Sequence, residues 1–216
     1  AWDALRKQKE VEALTSVVRE SEIQFLKSQI NPHFLFNNLN NLYSYAIKNA
    51  PETPQIILEL SEVLRYMLYD CKAPQVPLVR EAEQLNNFVN LSKLQIQDRG
   101  TVNFKTKGEL SEFHIAPLIL IVFLENAFKH STSSQSDKIN IDIDLSVDAE
   151  GNMHFTCKNT YEKDSNVENL AGGIGLENVQ TRLALIYSGA YDLKITKTDS
   201  DYLVSLTIDL NQTPES

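Results

Sequence analysis

The stretch Ile139-Asn140-Ile141-Asp142-Ile143-Asp144-Leu145-Ser146-Val147 alternates apolar and polar residues without a break. Such alternation puts every second side chain on one face, so it predicts a strand with one buried and one wet face. Ala149-Glu150-Gly151-Asn152 follows as a hairpin turn, and Met153–Lys158 is its predicted partner. Downstream, Tyr191–Lys197 and Tyr202–Leu210 alternate in the same way around Asp199-Ser200-Asp201. Upstream, Thr101–Lys107 reads as a further strand and Pro117–His130 as an apolar helix. Another helix is expected from about Leu176 to Tyr187. Strands that first alternate with helices and then pair in hairpins predict an α/β sandwich, one mixed sheet under helices.

Before Gly100 the period is that of a helix. Leu5, Val11, Leu14, Val18, Ile23, Leu26 and Ile30 form an apolar seam among Lys, Glu, Gln and Arg, and the pattern runs on to Ile47. A helix of that length usually pairs with another chain, so a homodimer is expected. The chain starts inside this pattern without a cap, as if cut from something longer. Pro51 and Pro54 punctuate its end. A second helix fits Pro54–Tyr69, with Ile57, Leu60, Leu64 and Leu68 on one face. A third fits Leu78–Asp98, with Leu85, Val89, Ser92 and Ile96 inward, and Gly100 ends it. Short connections make the helices antiparallel neighbours. The expected fold class is therefore α+β: a long-helix hairpin or bundle over residues 1–99, then the sandwich over residues 100–216.

Composition narrows the function. The 216 residues are 42% hydrophobic and 23% charged, which suits a folded core. A net charge of −9 disfavours direct nucleic-acid binding. The longest apolar run, Ile115–Leu124, contains Pro117 and is too short to span a bilayer. No basic segment followed by an apolar one opens the chain, so no signal peptide is expected. Cys71 and Cys157 lack metal-ligand spacing and read as thiols of a reducing compartment, or as a pair.

Three stretches carry chemistry. In Gln29-Ile30-Asn31-Pro32-His33-Phe34-Leu35-Phe36-Asn37, Pro32 removes a backbone donor beside His33, and Gln29, His33 and Asn37 share one helix face. Amides on either side of an imidazole can fix its tautomer and leave a nucleophilic nitrogen free. The plainer alternative is a packed histidine at a kinked helix. In Leu124-Glu125-Asn126-Ala127-Phe128-Lys129-His130, two polar residues interrupt an apolar helix. The Asn126 carbonyl suits Mg²⁺ alongside phosphate oxygens, and Lys129, one turn on, suits a phosphate. The plainer alternative is a helix C-terminus whose Lys129 and His130 complement the dipole. Gly172-Gly173-Ile174-Gly175-Leu176 concentrates three of the seven glycines before a helix, where backbone N–H groups can approach a phosphate. A flexible helix lead-in would look the same.

The order and separation of these stretches resemble the LytS-type sensor histidine kinases, whose catalytic domain belongs to the GHKL ATPase superfamily. The resemblance spans nearly the whole chain. Gln29–Asn37 resembles the phosphoacceptor box. Leu60-Ser61-Glu62-Val63-Leu64-Arg65-Tyr66 and the segment from Val79-Arg80-Glu81 to Arg99 resemble two helical signatures. Pro117–His130 resembles the N box, and Gly173-Ile174-Gly175-Leu176 with Arg182-Leu183 the final glycine box. The resemblance implies an enzyme that uses ATP and Mg²⁺. His33 would accept the γ-phosphoryl group, with Gln29 and Asn37 as orienters and Glu125 as the base. Asn126 would hold Mg²⁺, Lys129 and His130 would lie near the phosphates, and Gly173, Gly175 and Leu176 would border the nucleotide. Asn159 stands where the superfamily has an adenine-binding Asp; an Asp restored there would be expected to tighten ATP. Residues 160–171 would be the lid. The implied partners are a second copy, an upstream membrane sensor segment and a cognate response regulator, with the LytTR type as the candidate. The implied location is the cytoplasmic side of a bacterial inner membrane. A degenerate, non-catalytic docking module of the same fold is the competing expectation. A serine kinase of the superfamily would leave the His33 box without purpose, and a purely structural coiled coil would leave the second half unexplained.

Overall fold

The computed structural model describes residues 32–133, 138–160 and 172–211. The helix seam before residue 31, Gln29 and the expected lid segment 161–171 lie outside the described residues. Two compact units divide after Asn40, residues 1–40 and 41–216. Helix α1 (Pro32–Ile47) crosses the division. In the first unit Phe34 and Asn38 are buried one turn apart, and the Asn38 amide donates to the Phe34 carbonyl at 2.9 Å. Phe36 and Leu39 are exposed. In the second unit α1 ends where Asn49 turns left-handed at φ 51° and Ala50 N–H bonds the Tyr45 carbonyl.

The rest of the second unit runs α2 (Thr53–Tyr69), β1 (Val76–Pro77), α3 (Leu78–Ile96), β2 (Gly100–Lys107), β3 (His114–Ile115), α4 (Ile121–Ser133), β4 (Ile139–Val147), β5 (Asn152–Thr160), α5 (Gly172–Ile186), β6 (Tyr191–Lys197) and β7 (Asp201–Asp209). Helices α2 and α3 pack as the expected hairpin. Leu85, Val89, Ser92 and Ile96 of α3 are buried, as the helical spacing requires. The inward face of α2 differs. It is Ile56, Leu60, Val63, Tyr66 and Met67 that are buried, while Ile57 and Leu68 are exposed. This helix is apolar on two sides, so its own sequence does not choose which side packs on α3.

The five-stranded sheet has the order β2-β4-β5-β7-β6. The β2–β4 pair is parallel and the other three pairs are antiparallel, which makes the sheet mixed. Gly100 starts the parallel pair where a side chain could not fit: a Cβ there would lie 1.9 Å from the Ile139 carbonyl oxygen. Ile139, Ile141, Ile143, Leu145 and Val147 all point inward, as do Met153, Phe155 and Cys157 on β5 and Tyr202, Val204, Leu206 and Ile208 on β7. Helix α4 covers this face across β4 and β5, and α3 and α5 pack against α4. The opposite face of β4 is wet.

Two helix starts depart from the sequence reading. Helix α4 begins at Ile121, not Pro117, because Leu118 sits at φ 62°, outside helical space. Helix α5 begins at Gly172, four residues ahead of Leu176, so the glycines form its first turn. Each costs about 1 kcal/mol relative to alanine in a helix, a penalty the good helix formers from Leu176 to Leu183 can carry. Both cysteines are free, and burial pushes the Cys157 thiol up to about 12. The rings of Phe123 on α4 and Phe155 on β5 pack with centroids 5.8 Å apart beside it. Phe155→Ala is therefore expected to cost about 3–5 kcal/mol. Alkylation of Cys157 across a urea titration checks this: labelling should begin at clearly lower urea in the variant.

Candidate active site

Helix α4 carries the polar residues of the site on an apolar body. Phe123, Leu124, Ala127 and Phe128 are buried, which anchors α4 to the sheet and to α3, where Phe128 meets Phe88 edge-on at 6.0 Å. Glu125, Asn126, Lys129 and His130 are half-buried. Asn126 lies three and four residues before Lys129 and His130, so the three share a face. The Asn126 Nδ2 is buried without a hydrogen-bond partner among the described residues.

The second half of the site is the end of β5. The inward parity of Met153, Phe155 and Cys157 continues to Asn159, which is 1% exposed. Its Nδ2 donates to the Thr160 carbonyl at 2.8 Å and to Ser131 Oγ at 3.2 Å, and Ser131 Oγ–H donates to that carbonyl at 3.3 Å. These bonds tie β5 to the last turn of α4 and fix the amide plane. The Asn159 Oδ1 is left buried with no donor among the described residues. Tyr202, opposite Asn159 in the β5–β7 register, stacks on His130 with ring centroids 6.4 Å apart and planes at 26°. Lys197 Nζ lies 5.5 Å over the Tyr202 ring.

The structure thus places Asn126, Lys129 and His130 along one face of α4 and ties Asn159 to the last turn of that helix through Ser131. Gly175, in the first turn of α5, faces the same helix: a Cβ there would lie 3.5 Å from Val122 Cγ1, an ordinary contact. Packing among the described residues therefore gives no reason for glycine at 175. Glu125 lies on the same helix and Leu176 is half-buried on α5. His33 and Asn37 belong to α1 in the first unit, where Asn37 is half-buried; Gln29 lies outside the described residues. Ser131 and Tyr202 had no role in the sequence reading. Tyr202 could have been found from the alternation of β7, which puts it on the parity of Val204 and Leu206. Among the described residues no group of three or more His, Cys, Asp and Glu side chains could hold a metal ion. A single amide such as Asn126 suits an ion that draws most of its ligands from phosphates and water.

The family model described as Histidine kinase matches residues 21–100. The chain is 26% identical over 204 residues to the Sensor histidine kinase/phosphatase LytS of Staphylococcus aureus, in strains Mu50 and N315 alike; the match covers 88% of this chain. The chain spans 35% of the length of those relatives. A solved histidine kinase domain from the Erythrobacter litoralis EL346 blue-light activated histidine kinase superposes with a TM-score of 0.50 at 16% identity, covering 76% of this chain and 89% of that one. At that identity the likeness is one of fold alone, helices over a mixed sheet. In sequence the chain is similar to the LytS sensor histidine kinase/phosphatase, and in fold to a histidine kinase domain.

The bonds around Asn159 reverse one expectation. An aspartate would put a carboxylate oxygen where Nδ2 now stands, 2.8 Å from the Thr160 carbonyl oxygen. Two acceptors would then face each other in a buried place. Asn159→Asp is expected to destabilise the protein by about 1–3 kcal/mol and not to tighten ATP. Thermal unfolding and calorimetric titration with Mg–ATP check the two halves of this statement.

Proposed function

We propose that the chain is the kinase core of a LytS-type sensor histidine kinase, which phosphorylates itself on His33 and passes the phosphoryl group to an aspartate of a response regulator. The observation that carries this reading is the pair of orphaned buried atoms, Asn126 Nδ2 in the middle of α4 and Asn159 Oδ1 beside its last turn. Buried polar atoms seldom go without partners, and a nucleotide offers both kinds. The adenine amine would donate to Asn159 Oδ1, whose amide is already oriented by Ser131 and Thr160. The Asn126 amide offers its oxygen to Mg²⁺ and its nitrogen to a phosphate oxygen. Lys129 and His130 add positive or hydrogen-bonding groups one turn on. The first-turn N–H groups of α5, that of Gly173 among them, have no intrahelical acceptors and suit phosphate oxygens, with Gly175 and Leu176 assigned to border the nucleotide beside them.

When bound, Mg–ATP supplies the γ-phosphoryl group and an ADP leaving group. His33 must present a neutral ring nitrogen to it. Gln29 and Asn37, one turn to each side, are assigned to hold that tautomer, and Glu125 is assigned to take the proton that His33 loses. Most of the catalysis would be positioning and charge stabilisation. Residues 1–99 and 100–216 divide this labour as phosphoacceptor half and nucleotide half. A homodimer is supported by the exposed Phe36 and Leu39 in the first unit and by the exposed Tyr43, Ile57, Leu58, Leu68 and Tyr69 in the second. Among the described residues no helix is long and apolar enough to cross a membrane. An upstream membrane sensor and a cytoplasmic place for this core follow from the LytS likeness alone, as does a regulator of LytTR type.

Incubation with Mg²⁺ and γ-labelled ATP tests the reading. Label that is acid-labile and alkali-stable, and absent from His33→Gln, is the expected result. His33→Gln should still bind nucleotide. Absence of both label and ATP binding would instead favour the non-catalytic docking module. Asn126→Ala is expected to lower Mg²⁺-dependent labelling at least about tenfold. Labelling at the wild-type rate in that variant would remove Asn126 from the site.

A further inference from the structure

Glu81 is a buried carboxylate that no step above uses. It projects from α3, is 1% exposed and lies at a junction of three helices. The Tyr66 hydroxyl on α2 donates to its Oε2. The Leu118 N–H, in the turn that leads into α4, donates to the same oxygen at 3.2 Å. The neighbouring peptide groups of that turn are held from α5: Arg182 donates to the Pro117 carbonyl at 2.7 Å, and the Ala116 N–H donates to the Tyr187 hydroxyl at 2.8 Å. Burial pushes the Glu81 carboxyl above its ordinary range, against the hydrogen bonds from Tyr66 and Leu118 and the charge of Arg182. Its Oε1 has no hydrogen-bond partner among the described residues.

A group buried at such cost is a poor device for stability, because an apolar residue of the same size would pack there without it. What Glu81 does that an apolar residue could not is join the Tyr66 hydroxyl on α2 to a backbone N–H of the turn. One oxygen bridges the inward face of α2 and the left-handed Leu118, three residues before α4 begins. The outward face of α2 is exposed and apolar at Ile57, Leu58, Leu68 and Tyr69, so it is the face on which another helix would press. We propose that Glu81 is a positioning residue that couples the α2–α3 hairpin to the lead-in turn of α4, so that a shift of α2 moves Asn126 and Lys129. The coupling itself is a property of the fold; its use in gating phosphoryl transfer rests on the kinase reading above.

Hydrogen–deuterium exchange on the whole chain separates the two. Tyr66→Phe removes the hydroxyl that reaches Glu81 and touches no atom of the turn by hydrogen bond. It should speed exchange over residues 118–124 by at least about threefold, as if one hydrogen bond had been lost at a distance. Strands β5 and β7 should exchange as in the wild type, which also shows that the variant is folded. Glu81→Met, which leaves no acceptor at that place, should do the same, and the Tyr66→Phe result stands alone if Glu81→Met does not fold. Mg–ADP added to the wild type should slow exchange in α4 and, through Glu81, in residues 60–69. In either variant the protection of α4 should persist and that of residues 60–69 should be lost. Unchanged exchange over 118–124 in Tyr66→Phe would overturn the coupling, as would protection of residues 60–69 that survives in the variants. If Mg–ADP protects nothing in the wild type while Tyr66→Phe still loosens the turn, the coupling stands and the nucleotide reading falls.

Discussion

The site residues carried by α4 hang from one turn, Ala116-Pro117-Leu118. It is buried, and its middle lies where backbone groups cannot reach water. A leucine in the left-handed region costs about 1–2 kcal/mol. Each buried peptide group left without a partner would add about 1–3 kcal/mol. Those costs are met by side chains from separate segments, Glu81 of α3, Arg182 of α5 and Tyr187 just after α5. The turn therefore exists only when the helical hairpin and the glycine-box helix are both in place. It also sets the phase of α4. A helix started one residue out would rotate Asn126 by about 100° away from its present face. The position of the polar residues on α4 is thus decided by contacts made before the helix begins.

The sheet was legible in the sequence because its signal is local. Alternation in β4, β5 and β7 needs only the neighbouring residues, and it puts Ile141, Ile143, Phe155, Val204 and Leu206 inward, where they are buried; Leu210, on the same parity, lies past the end of β7 and is half-exposed. The same parity carries Asn159 into the core, where a polar residue on a buried row marks a site without any comparison. The helix starts were not legible, for opposite reasons. Pro117–Leu124 is so apolar that propensity alone favours an unbroken helix, and the left-handed Leu118 is imposed by partners far along the chain. Gly172–Gly175 argues against a helix, and tertiary packing of α5 on α4 overrides it. The rotated face of α2 belongs to the same class. A helix with apolar residues on two sides has its orientation chosen by what else is present. Glu81 was visible only as a letter in a helical signature; its role depends on Tyr66 and Leu118, neither of which is its sequence neighbour.

The amide at 159, where the resemblance to the superfamily leads one to expect a carboxylate, bears on whether the proposed site is intact or decayed. A lost site usually keeps its fold and lets its polar residues drift to ones that satisfy themselves. Asn159 has not done so. Its nitrogen is fully used, on Ser131 and on the Thr160 carbonyl, and only its acceptor is open. A carboxylate in the same seat would oppose that carbonyl, so in this protein the amide is the side chain that can keep an acceptor open there. A neutral acceptor binds an amine less strongly than a charged one, by the usual advantage of charge-assisted hydrogen bonds. It also loses less on burial, because no charge has to be stripped of water. The two effects oppose each other, and the departure from aspartate does not by itself count against nucleotide binding. The orphaned nitrogen of Asn126 weighs on the same side: a decayed site would gain stability by closing both gaps, and here both remain open.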